Sequence, residues 1–354
     1  MDILDIRKLR RPEQGAKIKV KDVGERSLIS AIHRLQAIVP MGYVGIGDDA
    51  AYLPPSSAGW LISQDMLLED VHFRWEWITP EQLGEKAVIA NISDIAAMGG
   101  IPKAILTSIA VPGCFEVEAI EQLYRGVSKA LDRHGAVLIG GDTVSSPDKF
   151  TLDVVVLGNP GSRGPVLLTG AKPGDRLFVT GRLGASYAGL ILLSHNVRWP
   201  STSLYHRSVL QAHLAPMARV EAGVKLGPLA HAMTDISDGL ISELNAMTRF
   251  GGIGVKIAAE KIPVDDATKA VAHEYGKDAL DFALYGGEDY ELLAAIPPSR
   301  VQEVERLCLV CGVPVTEIGV VTDTLGIHLV KNGEELVIDE RKGFQHFAVD
   351  RDES

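Results

Sequence analysis

The chain has 354 residues and a formal net charge of -11, room enough for two domains of the usual ~100–200 residues. That charge argues against a nucleic-acid partner, because a phosphate backbone recruits basic faces. No apolar run reaches the ~18–20 residues of a membrane span, and the first residues lack a signal-peptide core, so a cytoplasmic protein without a membrane partner is expected.

Taken in order, Arg7, Lys8, Arg10, Arg11, Lys17, Lys19 and Lys21 make a basic arm over residues 1–22, which reads as a solvated tail. GERSLISAIHRLQAI has amphipathic helical spacing, and YVGIG and GWLISQDML read as strands. TPEQLGEKAVIANISDIAAMGG predicts a long helix. Thr79 is placed to cap it, Pro80 suits its first position, Gln82 completes a capping box, and Gly99, Gly100 and Pro102 stop it. AILTSIAV reads as a buried strand, EVEAIEQLYRGVSKALDRHG as a helix closed by Gly135, and AVLIGG and FTLDVVVLG as two further strands. NPGSRGP is the linker candidate, giving domains at 23–160 and 161–354.

The second half alternates again. RLFVTG reads as a strand, GRLGASYAGLILL as a glycine-rich helix start, ARVEAGVKLG as a helix, and AMTDIS as a strand before a helix from about Gly239. Asn332-Gly333 in KNGEE predicts a type I′ hairpin. Cys308 and Cys311 form one C-x-x-C in SRVQEVERLCLVCGVP. With no second pair the four ligands of structural zinc are missing, and the two read as small apolar residues near a helix end. Strands and helices interleave in both halves, which predicts two α/β or α+β domains.

The acids are placed unusually. GIGDDA, Gly45 to Ala50, has the spacing of a dinucleotide-binding turn, yet Asp48 and Asp49 stand where a phosphate would rest and AYLPP follows where a helix is needed. Asp65 interrupts LISQDML, Asp94 lies inside AVIANISDIAAM, and Asp142 follows two glycines in LIGGDT. Asp235 and Asp238 flank Ser237 in TDISDGL, and Glu288 and Asp289 follow two glycines in YGGEDYELL. Lone acids at strand ends are commonly solvated, and Asp94 could face outward or cap a neighbour, but a carboxylate among Ile and Ala otherwise needs a partner. Carboxylates converging to ~4 Å repel by roughly 4 kcal/mol per pair at an effective dielectric of ~20. Such a group either protonates or binds cations, and magnesium bridges carboxylates to phosphates. The chain has no P-loop, no kinase H-R-D or D-F-G, no G-x-S-x-G and no H-E-x-x-H.

VGIGDDAA, DMLLEDVHF, NISDIAAMGGIP, IGGDT, TGAKPGD, VTGRLG, DISDGL, GGEDYELL and KGFQHF stand in that order. Together they resemble the thiamine-monophosphate kinases of the aminoimidazole ribonucleotide synthetase-like superfamily. The resemblance implies ATP-dependent phosphorylation of thiamine monophosphate to thiamine diphosphate with several Mg2+ ions. It implies a two-domain fold, an N-terminal ATP- and metal-binding dimerisation domain before a C-terminal α/β domain. It also implies a homodimer whose N-terminal strands pair into a barrel, with the active site in a cleft between domains.

Position by position, it assigns Asp49, Ser63, Gln64, Asp65, Asp94, Asp142, Asp235 and Asp238 to the metal, with Asp49, Asp142, Asp235 and Asp238 at the chemistry. Gly141, Asp142, Ser237 and Tyr124 fall at nucleotide contacts, though Tyr124 reads equally well as a helix-face core residue. His72, Glu288 and Arg341 fall at the acceptor. The acceptor is already an oxyanion, so charge cancellation and positioning suffice. Three positions depart from the pattern: Gln64 stands for a typical threonine, Leu168 for an arginine that often meets ATP, and Arg341 for an aromatic residue. A related ATP enzyme with another acceptor, and a nucleotide-binding homologue without turnover, remain the alternatives.

Overall fold

The computed structural model describes residues 18–23, 28, 31–32, 34–35, 53 and 55–338. The GIGDDA turn with Asp49, the closing segment with Arg341, most of the basic arm and the side chains of Cys308 and Cys311 lie outside the described residues. The chain divides into two compact units, Met1–Pro165 and Val166–Ser354. Among the described residues no helix is long and apolar enough to cross a membrane.

The first unit runs β1 (Leu61–Leu68), α1 (Pro80–Ala97), β2 (Ile101–Pro112), α2 (Val117–His134), β3 (Val137–Ser146) and β4 (Thr151–Asn159). Among the described residues the strands form one four-stranded sheet ordered β1-β4-β2-β3. β2 and β3 are parallel, as their connection through α2 requires, and the other pairs are antiparallel. The α1 start is as read: Gln82 N donates to the Thr79 hydroxyl, and Thr79 N donates to Gln82 Oε1 at 3.0 Å. Gly135 ends α2 in the left-handed conformation at φ 63°.

α1 and α2 cross at two glycines. A Cβ on Gly84 would lie 2.0 Å from the Leu123 carbonyl oxygen, and one on Gly126 would lie 1.9 Å from that of Glu81. Lys129 and Arg133 of α2 both reach the buried Glu85 of α1. Side chains alternate across a strand, so Leu61 and Leu67 of β1, with Leu152, Val154 and Val156 of β4, are buried on one face. The opposite face carries Ile62, Met66 and Val144 at 66%, 57% and 50% exposure.

The second unit runs β5 (Arg176–Thr180), α3 (Ala185–Ser194), α4 (Leu204–Leu214), α5 (Val220–Leu226), β6 (Ala232–Ile236) and α6 (Leu240–Gly251). Then come β7 (Gly254–Ala258), α7 (Asp266–Glu274), α8 (Ala279–Tyr285), β8 (Glu291–Ile296), α9 (Val301–Cys311), β9 (Val315–Thr322), β10 (Gly326–Lys331) and β11 (Glu334–Leu336). Among the described residues these strands form one seven-stranded mixed sheet ordered β11-β10-β7-β9-β5-β8-β6. Every residue of β8 is buried, which is why ELLAAI reads as a continuous run rather than an alternation. Asn332 and Gly333, at φ 53° and 86°, make the β10–β11 hairpin turn with the two positive φ values that type I′ demands.

Candidate active site

In the first unit the fold brings two assigned residues together. The Ser63 hydroxyl donates to Asp94 Oδ2, joining β1 to α1 across a sequence separation of 31. Asp94 is partly buried in an otherwise buried stretch of α1, and the Ser63 hydroxyl is a partner for its carboxylate. Asp65, two residues beyond Ser63, lies on the same strand face. Gln64, between them, presents its side chain to the other face of the sheet, the face that also carries Asp142. There its Nε2 donates to both carboxylate oxygens of Asp153 at 3.0 and 3.1 Å.

Asp142 is exposed on β3, paired in register with Ser108, and its Oδ1 accepts from Thr143 N at 2.8 Å. Gly141 before it has no room for a side chain, since a Cβ would fall 1.8 Å from the Thr107 carbonyl oxygen. Tyr124 takes the core option: it is 2% exposed, its hydroxyl lies 3.0 Å from Thr107 Oγ1, and burial pushes the phenol up to about 12. His72 is partly buried and its Nδ1 accepts from Leu68 N at 3.0 Å. The ring's proton therefore sits on Nε2 in the neutral form.

In the second unit the acids sit at the end of β6, in the turn that follows it and in the GGEDY turn, and these segments are laced to one another. Glu288 N donates to Ser237 O at 2.6 Å and Tyr290 N donates to Ile236 O at 2.9 Å, so GGEDY is bound to the end of β6. A Cβ on Gly287 would meet the Ser237 carbonyl oxygen at 2.7 Å. Glu288 and Tyr290 hold left-handed backbones at φ 65° and 51°, a conformation that costs non-glycine residues energy and collects at functional sites. Asp235 is 5% exposed, whereas Asp238 is exposed with its amide 3.3 Å from Glu243 Oε1.

Sequence reasoning missed the uses of Asp289, Glu291 and His213. The half-buried Asp289 turns its carboxylate onto the first turn of α3, accepting from Gly184 N at 2.6 Å and Ser186 N at 3.2 Å. Burial of that carboxylate pushes it up to about 8 against the pull of the two amides, with Glu291 and Asp265 adding to the rise. The glycine-rich start of α3, a ready anion site, is thus already answered from within. Glu291 accepts from Arg219 through Nε at 2.7 Å and Nη2 at 2.6 Å, and from Thr180 Oγ1 at 2.6 Å. His213 lies with Nδ1 3.2 Å from Glu288 Oε2; its one visible signal was a histidine in the apolar run VLQAHLAP. Leu168, the second departure, packs against the core of this unit.

Among the described residues no three His, Cys, Asp or Glu side chains form a group that could hold a metal ion, and Asp49 lies outside that description. The donors the sequence assigns are all oxygens, and the Ser63–Asp94 union puts two of them in contact. An all-oxygen donor set suits a hard divalent cation rather than zinc or copper.

The family model for AIR synthase related proteins matches this chain with its N-terminal domain at residues 47–159 and its C-terminal domain at 172–331. Thiamine-monophosphate kinase of Bacillus subtilis is 36% identical over 86% of this chain and 93% of its own length. That of Aquifex aeolicus is 35% identical over 93% and 100%. Among solved structures, AaThiL complexed with AMPPCP and TMP is 34% identical, with a TM-score of 0.74 over 93% of this chain and 99% of its own. The hydrogenase maturation protein HypE, at 18% identity and a TM-score of 0.74, shares the fold alone. With motifs, domain order and relatives in agreement along nearly its full length, the chain belongs to the thiamine-monophosphate kinases, a family within the AIR synthase related proteins.

Proposed function

We propose that this enzyme transfers the γ-phosphoryl group of ATP to thiamine monophosphate, releasing ADP and thiamine diphosphate. One observation carries the reading: AaThiL, complexed with both AMPPCP and TMP, aligns with 93% of this chain at 34% identity. In the reaction an oxygen of the acceptor's phosphate attacks the γ-phosphorus in line as the bond to the ADP oxygen breaks. The acceptor oxygen already carries negative charge, so the chain's task is to bring two polyanions together and hold them aligned.

Asp49, Ser63, Asp65, Asp94, Asp142, Asp235 and Asp238 would hold magnesium, which supplies, when bound, the positive charge that offsets phosphate repulsion. Gly141, whose missing side chain lets β3 lie against the Thr107 backbone, is at a nucleotide contact in this proposal. Ser237 and Asp142 meet the nucleotide, and His72, with Nε2 carrying its proton, offers a donor to the acceptor while Glu288 offers an acceptor oxygen. Arg341 completes the acceptor contacts in this proposal.

The enzyme works as a homodimer, with the open face of the first unit's sheet, where Ile62, Met66 and Val144 are exposed, meeting a second copy in a barrel. Removal of that apolar surface from water favours pairing. Purified protein supplied with ATP, magnesium and a panel of phosphate acceptors tests the reaction. ADP release with thiamine monophosphate, and thiamine diphosphate as product, is expected; ADP release with a different acceptor alone overturns the acceptor, and silence with all of them overturns the reaction.

A further inference from the structure

We infer that His213 is a positioning residue for Glu288, an inference that deepens the proposed acceptor recognition and rests on it. α3 and α4 cross where a Cβ on Gly189 would lie 2.3 Å from the Val209 carbonyl oxygen and 2.8 Å from His213 Cβ. The missing side chain therefore lets α4 seat the His213 ring against the first turn of α3. There Nδ1 lies 3.2 Å from Glu288 Oε2 and 3.1 Å from Ser186 Oγ, with the histidine side chain 7% exposed. A carboxylate only accepts, so an Nδ1 that binds Glu288 carries the hydrogen, and Ser186 Oγ, which can accept as well as donate, lies beside the same N–H.

Glu288 is fixed from several sides at once. Its amide is bound to Ser237, its φ is 65°, and its neighbour Asp289 is bound to the α3 amides. Its side chain is nevertheless 32% exposed, so one end of the carboxylate is held while the residue keeps a surface on which a ligand can land. A free glutamate has several rotamers, and ordering it during binding weakens affinity. His213 does that ordering beforehand, which is the arrangement a recognition group needs. The effect belongs to acceptor binding and not to the transferred phosphoryl group.

The test compares wild type, His213→Ala, His213→Asn, His213→Gln, Glu288→Gln and the His213→Ala/Glu288→Gln double variant by steady-state ADP release, varying thiamine monophosphate and ATP in turn. His213→Ala raises KM for thiamine monophosphate by about 10-fold with kcat and the KM for ATP within about twofold, the pattern of a lost ground-state contact. Asn places an N–H near the Nδ1 position and restores KM to within about threefold, whereas Gln, whose amide reaches the Nε2 position, does not. Adding His213→Ala to Glu288→Gln changes little further, because the histidine acts through that carboxylate.

Circular dichroism of each variant separates misfolding from lost positioning, and His213→Asn carries the comparison where His213→Ala does not fold. A wild type silent with thiamine monophosphate overturns the functional reading and this inference with it. A wild type that turns over, with His213→Ala and His213→Gln at unchanged KM or with fully additive effects in the double variant, overturns the positioning role alone.

Discussion

The two sheets solve the same packing problem differently. In the first unit β1 buries one face and leaves Ile62 and Met66 open; in the second, β8 is buried along its whole length. Their acids differ in the same sense. Asp142 and Asp65 stand exposed on strands of the first unit, while Asp235 and Glu291 are 5% and 3% exposed in the second. A one-sided sheet presents groups to whatever covers it, and a two-sided sheet holds its polar groups in internal networks. The lesson is that Asp65 and Asp142 stand on strand surfaces in one unit, whereas the acids of TDISD and GGEDY gather at a strand end and its turns in the other.

Asp94→Asn and Asp238→Asn break the comparison most directly if the acids of both units serve the same chemistry. Each is expected to lower kcat by about 10^3-fold, the scale seen when a charge-stabilising contact to a transferring group is lost. Thermal unfolding should move little, because Asp238 is exposed and an asparagine at position 94 keeps an oxygen for the Ser63 hydroxyl. Single-turnover kinetics and calorimetry on each variant check this, and unchanged turnover in both would remove the magnesium assignment. Chelation of divalent cations should abolish ADP release in the wild type and leave the chain folded.

The next largest effect sharpens the picture of the second unit. Arg219→Ala leaves Glu291, 3% exposed, without its guanidinium partner and with Thr180 Oγ1 still donating to it. A loss of about 3 kcal/mol in urea denaturation is expected, at the lower end for a broken buried pair because the Arg219 side chain is itself 22% exposed. Arg219→Met with Glu291→Leu together should recover much of it. A double variant no more stable than Arg219→Ala would mean the pair is not the source.

Local chemistry made much of this readable. Thr79, Pro80 and Gln82 act within one helical turn, and Asn332-Gly333 within one hairpin, so both were legible from their neighbours alone. Strands that alternate, such as LISQDML, were legible too. β8 was not recognised as a strand, nor were the elements Leu204–Leu214, Gly254–Ala258, Asp266–Glu274, Ala279–Tyr285 and Val315–Thr322: the fully buried β8 has no period, short helices carry weak signals, and the mostly half-buried Val315–Thr322 shows no alternation in burial. At the site, the positions of Asp94, Asp142 and Asp238 could be named, but not the partners of Asp289, Glu291 or Gln64. Those partners lie 72 to 111 residues away in Arg219, Thr180 and the α3 turn, or on the neighbouring strand for Gln64 and Asp153. Distance in sequence hides such pairs unless something dictates register.

The open face supplies a smaller effect. Ile62→Glu with Met66→Glu should weaken self-association by more than about 30-fold, since two charges would have to be buried in a dimer barrel. Phe250→Glu, which alters an equally exposed apolar residue of the second unit (66%), should leave it unchanged. Sedimentation equilibrium across protein concentration distinguishes them. A monomer at every concentration in the wild type, or equal effects from both substitutions, would end the barrel proposal.

The smallest effect is a slope in pH, and it tests whether the turns of the second unit are as closed as their hydrogen bonds suggest. Asp289 is pushed up to about 8 in the fold from an ordinary value of 3.8. Between those values the folded state keeps a proton at Asp289 that the unfolded chain has released. Stability therefore falls as pH rises through that window, is fully present below it, and changes no further above it. The slope is at most about 1.4 kcal/mol per pH unit, reduced to the extent that solvent reaches this half-buried residue. Asp289→Asn keeps an oxygen for the Gly184 or Ser186 amide and loses the linkage, so the difference between variant and wild type isolates this group from every other titrating side chain. Urea denaturation at about pH 5.5 and about pH 7 should show the wild type losing stability relative to Asp289→Asn on the alkaline side. The opposite slope would mean that the α3 amides outweigh burial and hold the carboxylate ionised, which would make this turn an anion site in its own right.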